Sequence, residues 1–225
     1  MRRLIVFTLL WVTMMVTVHA QDEEYKMEIG GGVGLMNYIG DFNENLFRNM
    51  QVMGAVVVKY HFNPRMAVAM NGAFGKLKGS SQNIKTYYPG IEDYTFSNTA
   101  VDVSFRFEYN FWAFGTGMEY RGVKRISPFI ALGFGTTYVK GEEESVFSAN
   151  IPLGFGVKYK ISPRLNASLE WMFHISMSDK LDGIEDPYGI KSSGLFKNTD
   201  CYSTLQLSLT YDIWPKCKTC NNDRD

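Results

Sequence analysis

A strict alternation of apolar and polar side chains over residues 100–111, AVDVSFRFEYNF, constrains the fold most strongly. The apolar positions are Val101, Val103, Phe105, Phe107, Tyr109 and Phe111, and the polar positions between them are Asp102, Ser104, Arg106, Glu108 and Asn110. Because successive side chains of a β-strand point to opposite faces, this period of two predicts a strand with two unlike faces. One face is large and apolar, and the other carries charges of both signs.

The same alternation recurs in seven other segments, namely 26–36, 51–62, 66–77, 128–140, 149–161, 165–177 and 202–213. Together with residues 100–111 they predict eight strands. Each is about as long as a tilted strand needs to be to cross a lipid bilayer.

The predicted links between the strands alternate in length. Proline cannot donate to a strand ladder, so tight turns are predicted at Asn63-Pro64-Arg65 and Ser162-Pro163-Arg164, with a third link over 112–127. The other links are mostly polar and longer, at 37–50, 78–99, 141–148 and 178–201. Short turns at one end and long loops at the other predict an all-β fold, an eight-stranded antiparallel up-and-down transmembrane β-barrel.

Two barrel types compete, since the apolar face lines the lumen of a soluble ligand-binding barrel and covers the outside of a membrane barrel. Many Gly and Ala residues on the polar face suit a narrow lumen packed with side chains. So many large apolar groups would also overfill a small lumen. Aromatic residues fall near strand ends, as in interfacial girdles, at Tyr60, Phe62, Tyr109, Phe111, Tyr138, Tyr159 and Tyr211. These features favour the membrane barrel.

The N-terminal residues predict export. Arg2 and Arg3 precede an apolar stretch over 4–18, and Ala20 ends a pattern typical of a cleaved signal peptide. We therefore expect a signal peptide at 1–20, a barrel at 21–214 and a periplasmic tail at 215–225, in the outer membrane of a Gram-negative bacterium. The formal net charge of zero gives no indication of a nucleic-acid partner.

Seven charged residues fall on the predicted inward face: Asp102, Arg106, Glu108, Lys158, Lys160, Glu170 and His174. They predict either an ion path or a paired network that fills a lumen too narrow to conduct. The network is favoured, because small barrels are filled by side chains and buried charges require partners. His174 and Ser176 resemble the catalytic pair of lipid A deacylase barrels, but strand parity points both into the lumen. We predict no enzyme activity, no cofactor and no metal site.

Cysteine spacing raises a separate question in the tail. Cys217 and Cys220 form a CxxC pair, which is compatible with a redox pair, half of a zinc site or a local disulfide. The disulfide is favoured, because no second CxxC or paired His lies nearby. Cys201 begins the eighth predicted strand at the long-loop end, whereas the CxxC follows that strand at the opposite end.

Three segments carry a family resemblance: MEIGGGVGLMNYIGDFN at 27–43, YHFNPRMAV at 60–68 and EYNFW at 108–112. They resemble the small outer-membrane barrel family that includes PorG of the type IX secretion system. The resemblance implies a structural or assembly role, with outer-membrane lipid and periplasmic secretion-machinery proteins as partners. It brings no catalytic or cofactor residues. The alternatives are a narrow pore or surface-exposed barrel without a secretion role, and a lipid-modifying barrel enzyme.

Overall fold

The computed structural model describes residues 25–39, 49–80, 95–115, 123–141, 145–178 and 200–215. Eight long strands form the barrel, β1 (Tyr25–Ile39), β2 (Gln51–Asn63), β3 (Met66–Ser80), β4 (Thr95–Asn110), β7 (Ile126–Lys140), β8 (Ser145–Lys160), β9 (Leu165–Ser176) and β10 (Cys201–Pro215). Two short strands, β5 (Ala113–Phe114) and β6 (Val123–Lys124), pair in parallel within the link from β4 to β7. In these ranges no helix is long and apolar enough to cross a membrane.

The long strands close into one antiparallel ring in the order β1-β10-β9-β8-β7-β4-β3-β2. Each barrel strand therefore pairs with the barrel strands before and after it in sequence. β1 closes the ring on β10, from Tyr25 opposite Pro215 to Ile39 opposite Cys201. Closure leaves no unpaired strand edge. The predicted eight-stranded up-and-down barrel is confirmed.

Several strands are longer than the alternation predicted, because their pattern inverts near one end. β3 continues to Ser80 and β4 begins at Thr95, where 66–77 and 100–111 were expected. Near this end of the two strands, Leu77 and Phe96 are buried inside the barrel, while Lys76 and Ser97 are exposed outside. Here polar side chains point outwards and apolar side chains point inwards, as in a soluble barrel. A strand recognised by its outward-facing apolar side chains is therefore predicted too short at this end.

The tight turns define one end of the barrel, here called the turn end. Asn63 Oδ1 accepts hydrogen bonds from the backbone N–H groups of Arg65 and Met66, at 2.8 and 2.9 Å. Ser162 Oγ accepts one from Leu165 N–H at 3.1 Å. Such side-chain bonds to nearby backbone fix short turns. β1 begins and β10 ends at this turn end, and the other end is called the loop end.

An apolar band covers the outside of the barrel between these ends. Large exposed side chains from every barrel strand form it, including Val56, Phe107, Leu132, Phe155 and Leu207. The predicted aromatic residues lie on it near the strand ends, with Tyr138 towards the loop end and the others at the turn end. We call the exposed set at the turn end the aromatic girdle: Tyr60, Phe62, Phe111, Trp112, Tyr159, Tyr211 and Trp214.

Some sequence predictions lie outside the described residues. These are the signal peptide at 1–20, Cys217 and Cys220 with residues 216–225 of the tail, and parts of the four longer links, namely 40–48, 81–94, 142–144 and 179–199. β10 itself ends at Pro215, one position past the predicted end of the barrel.

Candidate functional site

All seven charged side chains assigned to the inward face lie inside the barrel, and none is more than 7% exposed. Strand β4 supplies Asp102, Arg106 and Glu108, β8 supplies Lys158 and Lys160, and β9 supplies Glu170 and His174. Their even spacing along each strand keeps them on one face. The antiparallel register then decides which charges meet across the lumen.

Glu108 joins two lysines in the part of the lumen nearer the turn end. Its Oε2 lies 2.5 Å from Lys158 Nζ and its Oε1 lies 3.2 Å from Lys59 Nζ. Both ammonium groups also lie over the ring of Phe129, at 4.7 and 5.5 Å from its centroid. One carboxylate and one aromatic face thus stabilise two buried cations.

Further ion pairs lie on both sides of this junction. Arg106 Nη2 donates to Glu170 Oε1 at 3.0 Å, and both side chains are 1% exposed. Nearer the turn end, Lys160 Nζ lies 2.5 Å from Asp212 Oδ2, and Asn166 donates to the other carboxylate oxygen at 2.6 Å. We call these buried pairs, with Glu108 and its lysines, the lumen network.

A second pair at the turn end involves residues absent from the sequence-predicted set. His61 Nε2 lies 2.5 Å from Glu28 Oε1, and Thr210 Oγ1 donates to Glu28 Oε2 at 2.7 Å. Glu28, Lys59 and Asp212 all belong to the lumen network by contact. The alternation in the sequence is sufficient to identify all three as inward-facing. Glu28, for example, alternates with Met27 and Ile29 just as Glu108 does with its neighbours.

Nearer the loop end, Asp102 accepts hydrogen bonds from several polar side chains. Its Oδ2 accepts hydrogen bonds from Tyr202 Oη at 2.8 Å and Asn150 Nδ2 at 2.7 Å. The ring of His174 stacks on Tyr202, with centroids 4.4 Å apart, and its Nδ1 lies 3.8 Å from Asp102 Oδ2. The Asp102 carboxylate is therefore stabilised by hydroxyl and amide donors, and the basic group nearest to it is the imidazole of His174.

An apolar cluster fills the lumen at the loop end. It consists of Met36, Tyr38, Met53, Ala73, Leu77, Phe96, Ala100, Val139 and Tyr202, contributed by β1, β2, β3, β4, β7 and β10. Tyr38 and Phe96 pack edge to face at 5.1 Å. This loop-end apolar cluster was not predicted from the sequence, because the inward face was expected to be polar along its whole length. The inverted pattern of 95–100 is the signal that would have found it.

His174 and Ser176 do not pair with each other. Ser176 Oγ lies 2.8 Å from Ser148 Oγ and accepts a hydrogen bond from Ser178 N–H at 3.1 Å. The His174 ring instead contacts Asp102, Tyr202 and Thr204. Nucleophilic catalysis needs a hydrogen bond between base and hydroxyl, which this arrangement does not supply. Within the described ranges, no three His, Cys, Asp or Glu residues are grouped to hold a metal ion.

Charge is divided between the inside and the outside of the barrel. Every carboxylate among the described residues is buried, at Glu28, Asp102, Glu108, Glu170, Asp200 and Asp212. The exposed or half-exposed charged residues of the same ranges are cationic: Lys26, His61 when protonated, Arg65, Lys76, Lys78, Lys124, Arg125, Lys140 and Arg164. The interior is thus a network of ion pairs, and the described exterior carries positive charge at both ends of an apolar band.

The whole chain matches one protein family. The profile of a domain of unknown function, DUF6089, covers residues 2–222. The chain belongs to the DUF6089 family. No curated protein sequence matches it.

Solved structures extend the comparison to the fold of this DUF6089 member. Neisserial surface protein A (NspA) is similar with a TM-score of 0.53 and 10% identity, over 83% of this chain and 97% of that one. OprG, an outer membrane protein from Pseudomonas aeruginosa, has a TM-score of 0.46 and 11% identity, over 85% and 97%. Ail, the attachment invasion locus protein of Yersinia pestis, has a TM-score of 0.44 and 11% identity, over 86% of this chain and 100% of that one. At such identities the similarity to NspA supports the small-barrel fold alone.

Proposed function

We propose that this protein is a non-conducting barrel in the outer membrane of a Gram-negative bacterium, with a structural or assembly role. The carrying observation is the combination of an apolar band outside with a lumen filled by ion pairs and capped by apolar side chains. In water the band would be an unfavourable exposed patch, whereas in a bilayer it meets acyl chains.

The contents of the lumen support a plug rather than a pore. Arg106 and Glu170 span it near the middle, and the loop-end apolar cluster packs above them. An ion on this route would have to separate buried pairs and then cross an apolar layer, and both steps are costly. The interior serves, in this proposal, to hold the barrel rigid.

The resemblance to PorG leads to a finer proposal, that the protein is a component or relative of the type IX secretion system. In this proposal the turn end faces the periplasm, as short turns do in outer-membrane barrels. The turns and the residues after Pro215 would then contact periplasmic secretion-machinery proteins, while outer-membrane lipid surrounds the band.

Co-purification tests the secretion role. An epitope-tagged chain is cross-linked in its host and purified, and periplasmic secretion proteins are expected in the eluate. A variant ending at Pro215 is the matched control, since Pro215 still pairs with Tyr25 to close the barrel. It should fold and recover less of the partner. A fully folded barrel that recovers no secretion component in either form would refute the secretion role and leave the membrane barrel standing.

Lipid analysis tests the proposal that the barrel is not an enzyme. Lipid A from cells expressing the wild type, a His174→Gln variant or no copy of the chain should have one acylation pattern. An acyl group lost only in the presence of intact His174 would instead support a lipid-modifying barrel.

A further inference from the structure

Three arginines occupy equivalent places at the turn end. Asn110 N–H, at the end of β4, donates to the backbone oxygen of Arg65 at 2.7 Å. Lys160 N–H, at the end of β8, donates in the same way to Arg125 at 2.7 Å, and Asp212 N–H near the end of β10 donates to Arg164 at 2.8 Å. Each arginine therefore precedes a strand that runs from the turn end to the loop end. Its backbone oxygen accepts a hydrogen bond from the neighbouring strand. All three side chains are exposed.

Two cationic side chains at this end contact aromatic residues at the edge of the apolar band, Tyr25 and Trp112. Arg164 Nε donates to Tyr25 Oη at 2.6 Å, and its guanidinium lies 5.2 Å from the centroid of the Tyr25 ring. Lys124 Nζ lies 4.3 Å from the centroid of Trp112. Tyr and Trp at the edge of an apolar band lie at the level of lipid headgroups. Arg and Lys that rest on them present their charges at that level.

The described carboxylates near the turn end lie inside the barrel. The nearby carboxylates, Glu28, Glu108 and Asp212, are buried and already bonded to His61, to Lys59 and Lys158, and to Lys160. Lys26 adds a further half-exposed cation on β1. We name Lys26, Arg65, Lys124, Arg125 and Arg164 the turn-end cation ring. Neighbouring turns lie two strands apart, roughly 10 Å.

We propose that the turn-end cation ring is a binding site for the phosphate groups of anionic phospholipids in the leaflet at that end. A guanidinium matches phosphate geometry with paired donors, and cations at a membrane surface attract anionic lipid. The contacts of Arg164 with Tyr25 and of Lys124 with Trp112 favour lipid over an acidic protein, because they hold both charges against the side of the barrel. This inference rests on the membrane insertion proposed above.

Quenching of tryptophan fluorescence by brominated lipid tests the site. Trp112 and Trp214 lie on the girdle beside the ring, and Trp171→Phe removes the described tryptophan nearer mid-barrel. The protein is reconstituted in vesicles of equal parts phosphatidylglycerol and phosphatidylcholine, with one of the two brominated. Brominated phosphatidylglycerol should quench more strongly, and the preference should weaken in high salt. A preference of about fivefold for each fully engaged cation is the upper expectation.

The matched variant replaces the three arginines by glutamine, R65Q, R125Q and R164Q. Glutamine keeps the backbone oxygens that hold the strand ends, so the barrel should fold. The preference for phosphatidylglycerol should be largely lost. The control K76Q with K140Q removes two exposed cations from the loop end and should keep it. Heat-dependent gel mobility in the same vesicles establishes insertion separately for each variant.

The remaining outcomes distinguish failure of the proposed function from failure of the lipid site. If the barrel does not insert, the proposed function fails together with the site. If it inserts and the two lipids quench equally, or if the triple variant keeps the full preference, the lipid site alone is refuted. Loss of a co-purifying acidic protein from the triple variant, with an unchanged lipid preference, would assign the ring to a protein partner and also refute the lipid site.

Discussion

At the scale of single residues, Glu108 is the junction of the lumen network. It is fully buried and contacts Lys59 and Lys158, so its charge is the nearest compensation for two cations in an enclosed space. Parity in the sequence identified Glu108 as inward-facing. It did not identify the partners, because they depend on the register between strands that are distant in sequence.

Replacement of Glu108 by Gln should therefore destabilise the barrel strongly. Breaking a buried pair by removing one partner costs about 3–5 kcal/mol, and here the change leaves two lysines facing each other. The free energy of unfolding, from urea titration of the vesicle-reconstituted barrel, measures the loss. A second change, Lys158→Met, in the Glu108→Gln background should recover part of it.

The control for this prediction is Lys76→Gln, which removes an exposed cation from β3. It should alter the free energy of unfolding by less than about 0.5 kcal/mol. A Glu108→Gln barrel as stable as the Lys76→Gln barrel would mean that the lumen network does not carry the stability assigned to it.

At the scale of elements, β4 combines two environments in one strand. Phe107 lies outside within the apolar band, between Val68 and Leu132, and Thr95 lies outside at the loop end opposite Ser80. Phe107→Lys should cost roughly 2–4 kcal/mol if it lies near the bilayer midplane, and Thr95→Lys should cost little. Heat-dependent gel mobility and the free energy of unfolding in vesicles measure both. Equal effects would contradict the assignment of the outward face to lipid.

The elements also explain what the sequence could and could not predict. Within the band, Val101 to Tyr109 alternate cleanly, so the strand and its faces were predicted correctly. Beyond the band the preference inverts, as at Phe96 and Ser97, so the predicted strand began at residue 100 although β4 begins at Thr95. The short strands β5 and β6 have two residues each, which is too few for any period to be recognised.

At the scale of the whole molecule, the length of β10 determines which cysteines can pair. Cys201 and Pro215 are its first and last residues, so fourteen steps of about 3.3 Å separate them by roughly 46 Å. Cys217 and Cys220 follow Pro215 by two and five residues, and an extended chain spans at most about 3.6 Å per residue. The tail up to either cysteine is therefore much shorter than β10 and cannot return to Cys201. A disulfide requires Cα atoms within about 7 Å.

We therefore expect no disulfide between Cys201 and either tail cysteine in one chain, while Cys217 and Cys220 can bond to each other. Mass spectrometry of peptides from the non-reduced monomer is the check. A peptide that links Cys201 to Cys217 or Cys220 would contradict the course of β10 along the barrel.

Planar-bilayer recording tests the central claim, that the barrel is closed to ions, most directly. Purified barrel whose folding is established by heat-dependent gel mobility is inserted beside a porin that serves as a positive control. Because the buried pairs and the loop-end apolar cluster fill the lumen, we predict no unitary current steps from this protein at voltages where the porin conducts. Reproducible steps whose ion selectivity changes in the Arg106→Gln variant would place an open path through the lumen and contradict the account.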